Sequence, residues 1–175
     1  MSEIKLPSRK KCFNLMKKYN VPENILRHSL TVNKFANQLA NSLIAKGELI
    51  NKILVDRASL LHDIGKFKAL SKGGFHEEEG YKILKKEGLN EIANIVKKHS
   101  LFSVLSENET PVTWEEKIVF YADKRVNEDK IVTLEKRINY LKKRYGKNKK
   151  ILKRIKAAEP LIYQIEKELF DKINK

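Results

Sequence analysis

Apolar side chains recur at helical spacing along residues 22–46, where Ile25, Leu26, Leu30, Val32, Phe35, Ala36, Leu39, Ala40 and Leu43 form one stripe that Gly47 ends. Pro22 suits the first turn of that helix, where a missing N–H loses nothing. Upstream, Cys12, Phe13, Leu15 and Met16 share a face over residues 8–19, which reads as a lid or docking helix. Residues 50–63 are nearly apolar all round through Ile53, Leu54, Ala58, Leu60 and Leu61, as expected of a central helix in a bundle. Residues 66–75 read as a loop with Lys72-Gly73-Gly74 as its flexible point. A helix over residues 76–87 starts at His76, and Glu77, Glu78 and Glu79 suit the positive end of its dipole. Gly88 closes it, and residues 89–99 form a short helix that buries Ile92, Ile95 and Val96.

Residues 100–111, rich in Ser, Asn and Glu, read as a loop at the rim of a cleft. Thr113-Trp114-Glu115-Glu116 matches a capping box and opens a helix that carries Asp123 on its buried side. Residues 133–145 and 148–173 read as two further helices joined at Gly146. No run sustains the alternation of a strand. The expected fold is therefore all-α: an N-terminal helix in residues 1–21, a helical core in 22–126, and a helical extension in 127–175 packed on that core.

Composition narrows the setting. A chain of 175 residues with 41% hydrophobic and 34% charged residues fits one globular domain with its own core. The single cysteine, Cys12, cannot form an internal disulfide and reads as a buried thiol, which suits a reducing, cytoplasmic setting. The first eleven residues are polar and basic, unlike a secretory leader, and no apolar run approaches the roughly 18 residues of a membrane span, so a soluble protein without membrane partners is expected.

A net charge of +15 favours anionic partners without choosing among them. Between Lys136 and Lys156 stand 11 Lys/Arg and no Asp/Glu. That segment reads either as a solvated cationic hairpin or as an electrostatic funnel for a polyphosphate or RNA. Few aromatics interleave its charges, which does not favour base stacking on it.

The chemistry concentrates in Leu60-Leu61-His62-Asp63-Ile64-Gly65-Lys66, where an apolar run ends in an adjacent histidine and carboxylate, then a glycine that releases the chain from helical geometry. Taken alone, His62-Asp63 is as well explained by a histidine hydrogen-bonded at a helix end, and His28 by a packed core histidine. The census changes that weighting: the four histidines, His28, His62, His76 and His99, all stand in or beside helical segments, and none falls in the lysine-rich C-terminal third. Neutral imidazoles and carboxylates suit Mn, Fe, Co, Ni or Zn, and four histidines with two aspartates exceed the needs of one ion. The chain lacks a Gly-x-Ser-x-Gly elbow, a Cys/His pair and a Walker A sequence, which argues against serine or cysteine nucleophiles and P-loop chemistry.

The order His28, His62-Asp63, His76, His99 and then Asp123 in Phe120-Tyr121-Ala122-Asp123-Lys124 resembles the HD superfamily of metal-dependent phosphohydrolases, in particular its HDIG branch with two extra histidines, over residues 25–126. The resemblance implies two divalent transition metals, Fe or Mn first, with Ni, Co, Zn or Mg as alternatives. It implies that Asp63 bridges them, that His28, His62 and Asp123 complete one shell, and that His76 and His99 hold the other ion. The resemblance suggests Lys66, otherwise a solvated loop lysine, as a catalytic phosphate contact beside Asp63. Arg27 and Arg125, which flank His28 and Asp123 in sequence, read either as further substrate contacts or as surface residues, and Glu77 to Glu79 either orient a ligand imidazole or simply cap their helix.

The implied reaction is hydrolysis of a phosphoester or phosphoanhydride in a nucleotide by a metal-activated water. A nucleotide- or RNA-binding regulatory module and an RNA phosphodiesterase are the alternatives. The Gly-Tyr-Pro signature of the cyclic-di-GMP branch is missing, which disfavours that substrate. The pattern is also similar to bacterial hydrolases that cut diadenosine tetraphosphate symmetrically, although these offer no counterpart to the basic hairpin.

Overall fold

Capping side chains set most of the helix starts. The computed structural model describes residues 6–175, so the first five residues of the expected N-terminal segment lie outside the described residues. Helix α1 (Arg9–Lys18) begins where the Ser8 hydroxyl accepts from the Lys11 N–H at 3.2 Å. Helix α2 (Glu23–Ala45) follows directly on Pro22, which stands at the N-cap position, outside the first turn, and makes no side-chain capping bond; the helix ends before Gly47 at φ +87°. Asn51 caps α3 (Lys52–Leu61), Thr133 caps α8 (Leu134–Tyr145) and Asn148 caps α9 (Lys149–Ile173) as Ser8 caps α1, by accepting from a backbone N–H of the first turn. The capping box at Thr113 and Glu116 forms and opens α7 (Trp114–Lys124). Helices α5 (His76–Lys86) and α6 (Asn90–Lys97) turn at Gly88, φ +73°.

Helix α2 packs along α3 and α7, α5 packs on α6, and α6 closes on α3. The buried side chains make one continuous cluster that runs from Cys12 and Leu15 of α1, through Val32, Leu60, Ile92 and Phe120, to Ile162 and Leu169 of α9. The extension after residue 126 thus shares its core with the rest of the chain. Burying these side chains contributes on the order of 2 kcal/mol each before the entropy of ordering is subtracted.

Several local expectations need correction. Residues 66–72 are not loop but a short helix, α4 (Lys66–Lys72), which buries little besides Ala69 and so shows no periodic stripe. Gly73 and Gly74, at φ +76° and +108°, make the turn that follows. A two-stranded antiparallel ribbon, β1 (Val126–Asn127) and β2 (Lys130–Ile131), interrupts the helical pattern, too short to show alternation. Ile53 is 55% exposed, so α3 is not apolar on every side, and Phe13 leaves the buried face of α1. Helix α1 docks on α3 and does not line the main cavity, so it is no lid. Nor do residues 100–111 form the rim of that cavity: Phe102, Leu105 and Glu109 line a second, smaller cavity instead.

Candidate metal centre

Five helices deliver six side chains to one place. His28 comes from the second turn of α2, His62 and Asp63 from the turn that ends α3, His76 from the first residue of α5, His99 from just beyond α6, and Asp123 from α7. The structure brings all six together. Asp63 stands between two sets of imidazoles: its Oδ2 lies 3.7 Å from His28 Nε2 and 3.3 Å from His62 Nε2, and its Oδ1 lies 3.5 Å from His76 Nε2 and 3.6 Å from His99 Nε2. Asp123 Oδ1 joins the first set, 3.0 Å from His28 Nε2 and 3.6 Å from His62 Nε2. His62, Asp63 and His99 are almost fully buried, while His76 faces the cavity beside them.

The opposite ring nitrogens are committed elsewhere. His62 Nδ1 donates to the Ser59 carbonyl at 2.8 Å, His28 Nδ1 to the Glu128 carbonyl at 2.6 Å, and His99 Nδ1 to the Val96 carbonyl. His76 Nδ1 lies 3.2 Å from Glu77 Oε2. With the proton held on Nδ1, each Nε2 presents a lone pair to the shared centre, the arrangement used to hold metal-binding imidazoles. Two observations then ask for a cation. His62 Nε2 is buried without a hydrogen-bond partner. His76 Nε2 and His99 Nε2 lie 3.1 Å apart, two acceptors in contact with no proton between them unless one ring is charged. The donor set fits a divalent transition metal, and three overlapping groups of ligand atoms within it have the spacing of metal sites.

Charges respond to this crowding. Burial would suppress the His62 charge, but Asp63 and Asp123 outweigh it and push its pKa up to about 9. Burial, reinforced by the neighbouring His99, pulls His76 down to about 4, and burial lowers His99 as well. Although burial works in the other direction, His62 and Lys66 hold Asp63 well below the usual carboxylate range, as Lys124 and His28 do for Asp123. Without a metal the two ionised carboxylates gather positive charge around themselves, and a pair of divalent ions would take that place.

The family model for the HD domain matches residues 25–128, a span that contains all six side chains. This chain belongs to the HD domain family. An uncharacterized protein of Methanocaldococcus jannaschii is 34% identical over 144 residues, covering 76% of this chain and 84% of that protein. Two proteins named tRNA (cytidine(56)-2'-O)-methyltransferase are each 33% identical: that of Picrophilus torridus over 74% of this chain and 39% of its own length, and that of Thermoplasma volcanium over 79% and 42%. The HD chain thus spans about two-fifths of the methyltransferases it matches. No solved structure matches. Membership suggests a metal-dependent hydrolase, and HD domains bind divalent metals.

Around the HD centre the other expected residues divide. Lys66 Nζ donates to Asp63 Oδ2 at 2.6 Å from the edge of a cavity of about 720 Å³, and burial notwithstanding, Asp63 and Asp123 raise its pKa. Arg27 also lines that cavity, 3.6 Å from both Glu23 and Asp129. Arg125, expected beside phosphate, is turned away: its Nε donates to the Val132 carbonyl at 2.6 Å, and its guanidinium stacks on Phe35 and Tyr121. Of the three glutamates only Glu77 touches an imidazole of the site, while Glu79 pairs with Lys68 and Lys82 and Glu78 lies 3.7 Å from Lys97.

Two contributors escape sequence reasoning. Lys124 is almost fully buried and donates to the His99 carbonyl at 2.8 Å and to Asp123, tying two of the six residues together. A lysine at a helix end reads as surface, so no signal marked it. Glu128, at φ +56° in the tip of the β1–β2 ribbon, acts through its carbonyl, which any residue would supply.

Gly65 has a different task from the one expected. Its φ of −81° and ψ of −10° are open to any residue. A Cβ there would lie 2.2 Å from the His76 carbonyl oxygen and 2.3 Å from the Gly80 nitrogen. Close approach of α5 to the His62-Asp63 turn, not turn conformation, requires the glycine.

Proposed function

We propose that this HD domain protein is a phosphohydrolase that uses two divalent metals, Fe or Mn first, to cleave a phosphoester or phosphoanhydride bond of a nucleotide-type substrate in the cytoplasm. One observation supports this most strongly: one oxygen of Asp63 faces His28 and His62 and the other faces His76 and His99, as a carboxylate shared by two ions would. On this reading His28, His62 and Asp123 complete one shell and His76 and His99 the other, and Asp63 is the shared ligand. Divalent ions held there would polarise a phosphoryl oxygen and make a bound water acidic enough to attack near neutral pH.

The residues of the chain do the rest. Lys66 stands between Asp63 and the cavity, where its ammonium can hold a phosphate oxygen, and Arg27 can meet a second oxygen at the cavity wall. The Nδ1 bonds of His28 and His62 to backbone carbonyls hold those imidazole planes before substrate arrives. In the reaction the water oxygen bonds to phosphorus, the bond to the leaving oxygen breaks, and that oxygen takes up a proton.

RNA enters as a second reading because two relatives are named tRNA methyltransferases and because of the charge between Lys136 and Lys156. In the structure Lys142 of that segment pairs with Glu159, and Arg154 stacks on Phe102. Most of its remaining lysines are exposed and suit a phosphodiester backbone.

A phosphate-release screen over nucleotides and short RNAs, with Mn or Fe supplied, tests the reaction. Release that chelator abolishes and that Asp63→Asn lowers by at least about a hundredfold is the expected result. Release insensitive to chelator, or none from any phosphoester, would overturn the reading.

A further inference from the structure

The cavity beside the His/Asp cluster has two walls of different origin. One belongs to the segment matched by the HD family and carries Arg27, Lys66, His28 and His76. The other is α8, which lies beyond residue 128 and presents Arg137, Tyr140, Arg144 and Tyr145 to the same space. Residues 137, 140 and 144 fall on one helical face, and the outer arginine stands about 10 Å farther along the axis than the inner one. At about 720 Å³ the cavity is in the range that encloses small ligands of nucleotide size.

The charge on this second wall has no internal use. Arg137 donates to the neutral Asn127 side chain at 2.8 Å, and its Nε is buried without a partner. Arg144 donates to the Tyr140 hydroxyl at 2.7 Å. Among the described residues neither arginine makes an ion pair, whereas Arg27 lies against Asp129 at the tip of the β1–β2 ribbon. With Lys66 held by Asp63, the cavity's positive charge that carries no ion pair among the described residues therefore sits on α8. Both guanidinium groups flank the Tyr140 ring, at 5.6 and 5.9 Å, and Arg144 also faces Tyr145 at 5.7 Å. Tyr140 thus stands between the two arginines and Tyr145 beside the outer one, in a segment whose sequence reads as too poor in aromatics for stacking.

We infer that the α8 wall is a specificity site that receives the second phosphate of a nucleotide on Arg137 and Arg144, while the first phosphate lies at Lys66 and the His/Asp cluster and the base rests on Tyr140 or Tyr145. The substrate class is then a nucleotide with at least two phosphates. This rests on the phosphohydrolase reading for its first phosphate, but the α8 contacts are read by binding alone. Guanidinium groups suit the task because their fork matches phosphate oxygens and their planes can share a stack with a ring.

Calorimetric titration of the Mn-loaded full chain with AMP and with non-hydrolysable α,β-methylene-ADP tests the site. The native protein should bind the diphosphate analogue at least about tenfold more tightly than AMP, and Arg137→Gln with Arg144→Gln should remove that preference at unchanged metal content. Arg144→Gln alone, at an exposed position that the fold tolerates, should remove part of it. Lys136→Gln with Lys143→Gln makes the same change in net charge on exposed parts of α8 that do not line the cavity, and should keep it. Equal affinity for the two nucleotides, a preference that survives the double arginine change, or one lost equally in the lysine control would overturn the inference. So would tight binding of a single-stranded RNA without preference between the nucleotides. Because no turnover is read, a failure to hydrolyse phosphoesters leaves this result intact and is told apart from it.

Discussion

Gly65 and Gly80 meet where α5 crosses the His62-Asp63 turn, and each tolerates a side chain differently. At Gly65 a methyl group would meet backbone atoms at 2.2 and 2.3 Å, which cannot yield without moving α5. At Gly80 the nearest atom is Val96 Cγ1 at 2.9 Å, the end of a side chain. Gly65→Ala should therefore lower stability by roughly 3 kcal/mol or more and Gly80→Ala by roughly 1–2 kcal/mol, read by denaturant unfolding. Equal losses would contradict the close-approach argument. At this scale the sequence revealed ligand candidates well, because His28, His62, His76 and His99 are the chain's complete set of histidines. It could not reveal Lys124 or the Glu128 carbonyl, whose parts depend on burial and backbone position and not on residue type.

Among the elements, those with a sustained apolar stripe or a capping side chain were legible: α2, α7, α8 and α9 begin and end within a few residues of the positions their patterns suggest. Helix α4 and the β1–β2 ribbon were not, because seven residues and two paired dipeptides carry too little periodicity. Helix α1 shows how an element can be fastened by polar groups as well as by its buried face. Glu87, just after α5, accepts from Lys18 Nζ at 2.6 Å and from the Tyr19 hydroxyl at 2.7 Å, and these bonds lower its pKa. A carboxylate lowered by folding stabilises the protein above its unfolded pKa of about 4.3, and that contribution is lost as pH falls through the folded value. Glu87→Gln should thus lower the melting temperature at pH 7, with the difference closing towards about pH 3. A difference independent of pH would show that charge has no part in holding α1.

For the whole molecule, the order of histidines and aspartates along the chain specified a centre that no single helix contains. The fold converts that order into proximity by packing α2, α3 and α7 together and by closing α5 and α6 over the turn that follows α3. The basic C-terminal hairpin could be read as charge but not as a wall of the cavity, since only packing decides that Arg137 and Arg144 face inward. No helix among the described residues is long and apolar enough to cross a membrane. The central claim is that six side chains hold a pair of ions about Asp63, and elemental analysis after loading with Mn or Fe and removal of free metal tests it most directly. The account predicts two ions per native chain and loss of both in Asp63→Ala, with His62→Ala losing at least one. No bound metal in the native chain, or an undiminished pair in the Asp63→Ala variant, would contradict it.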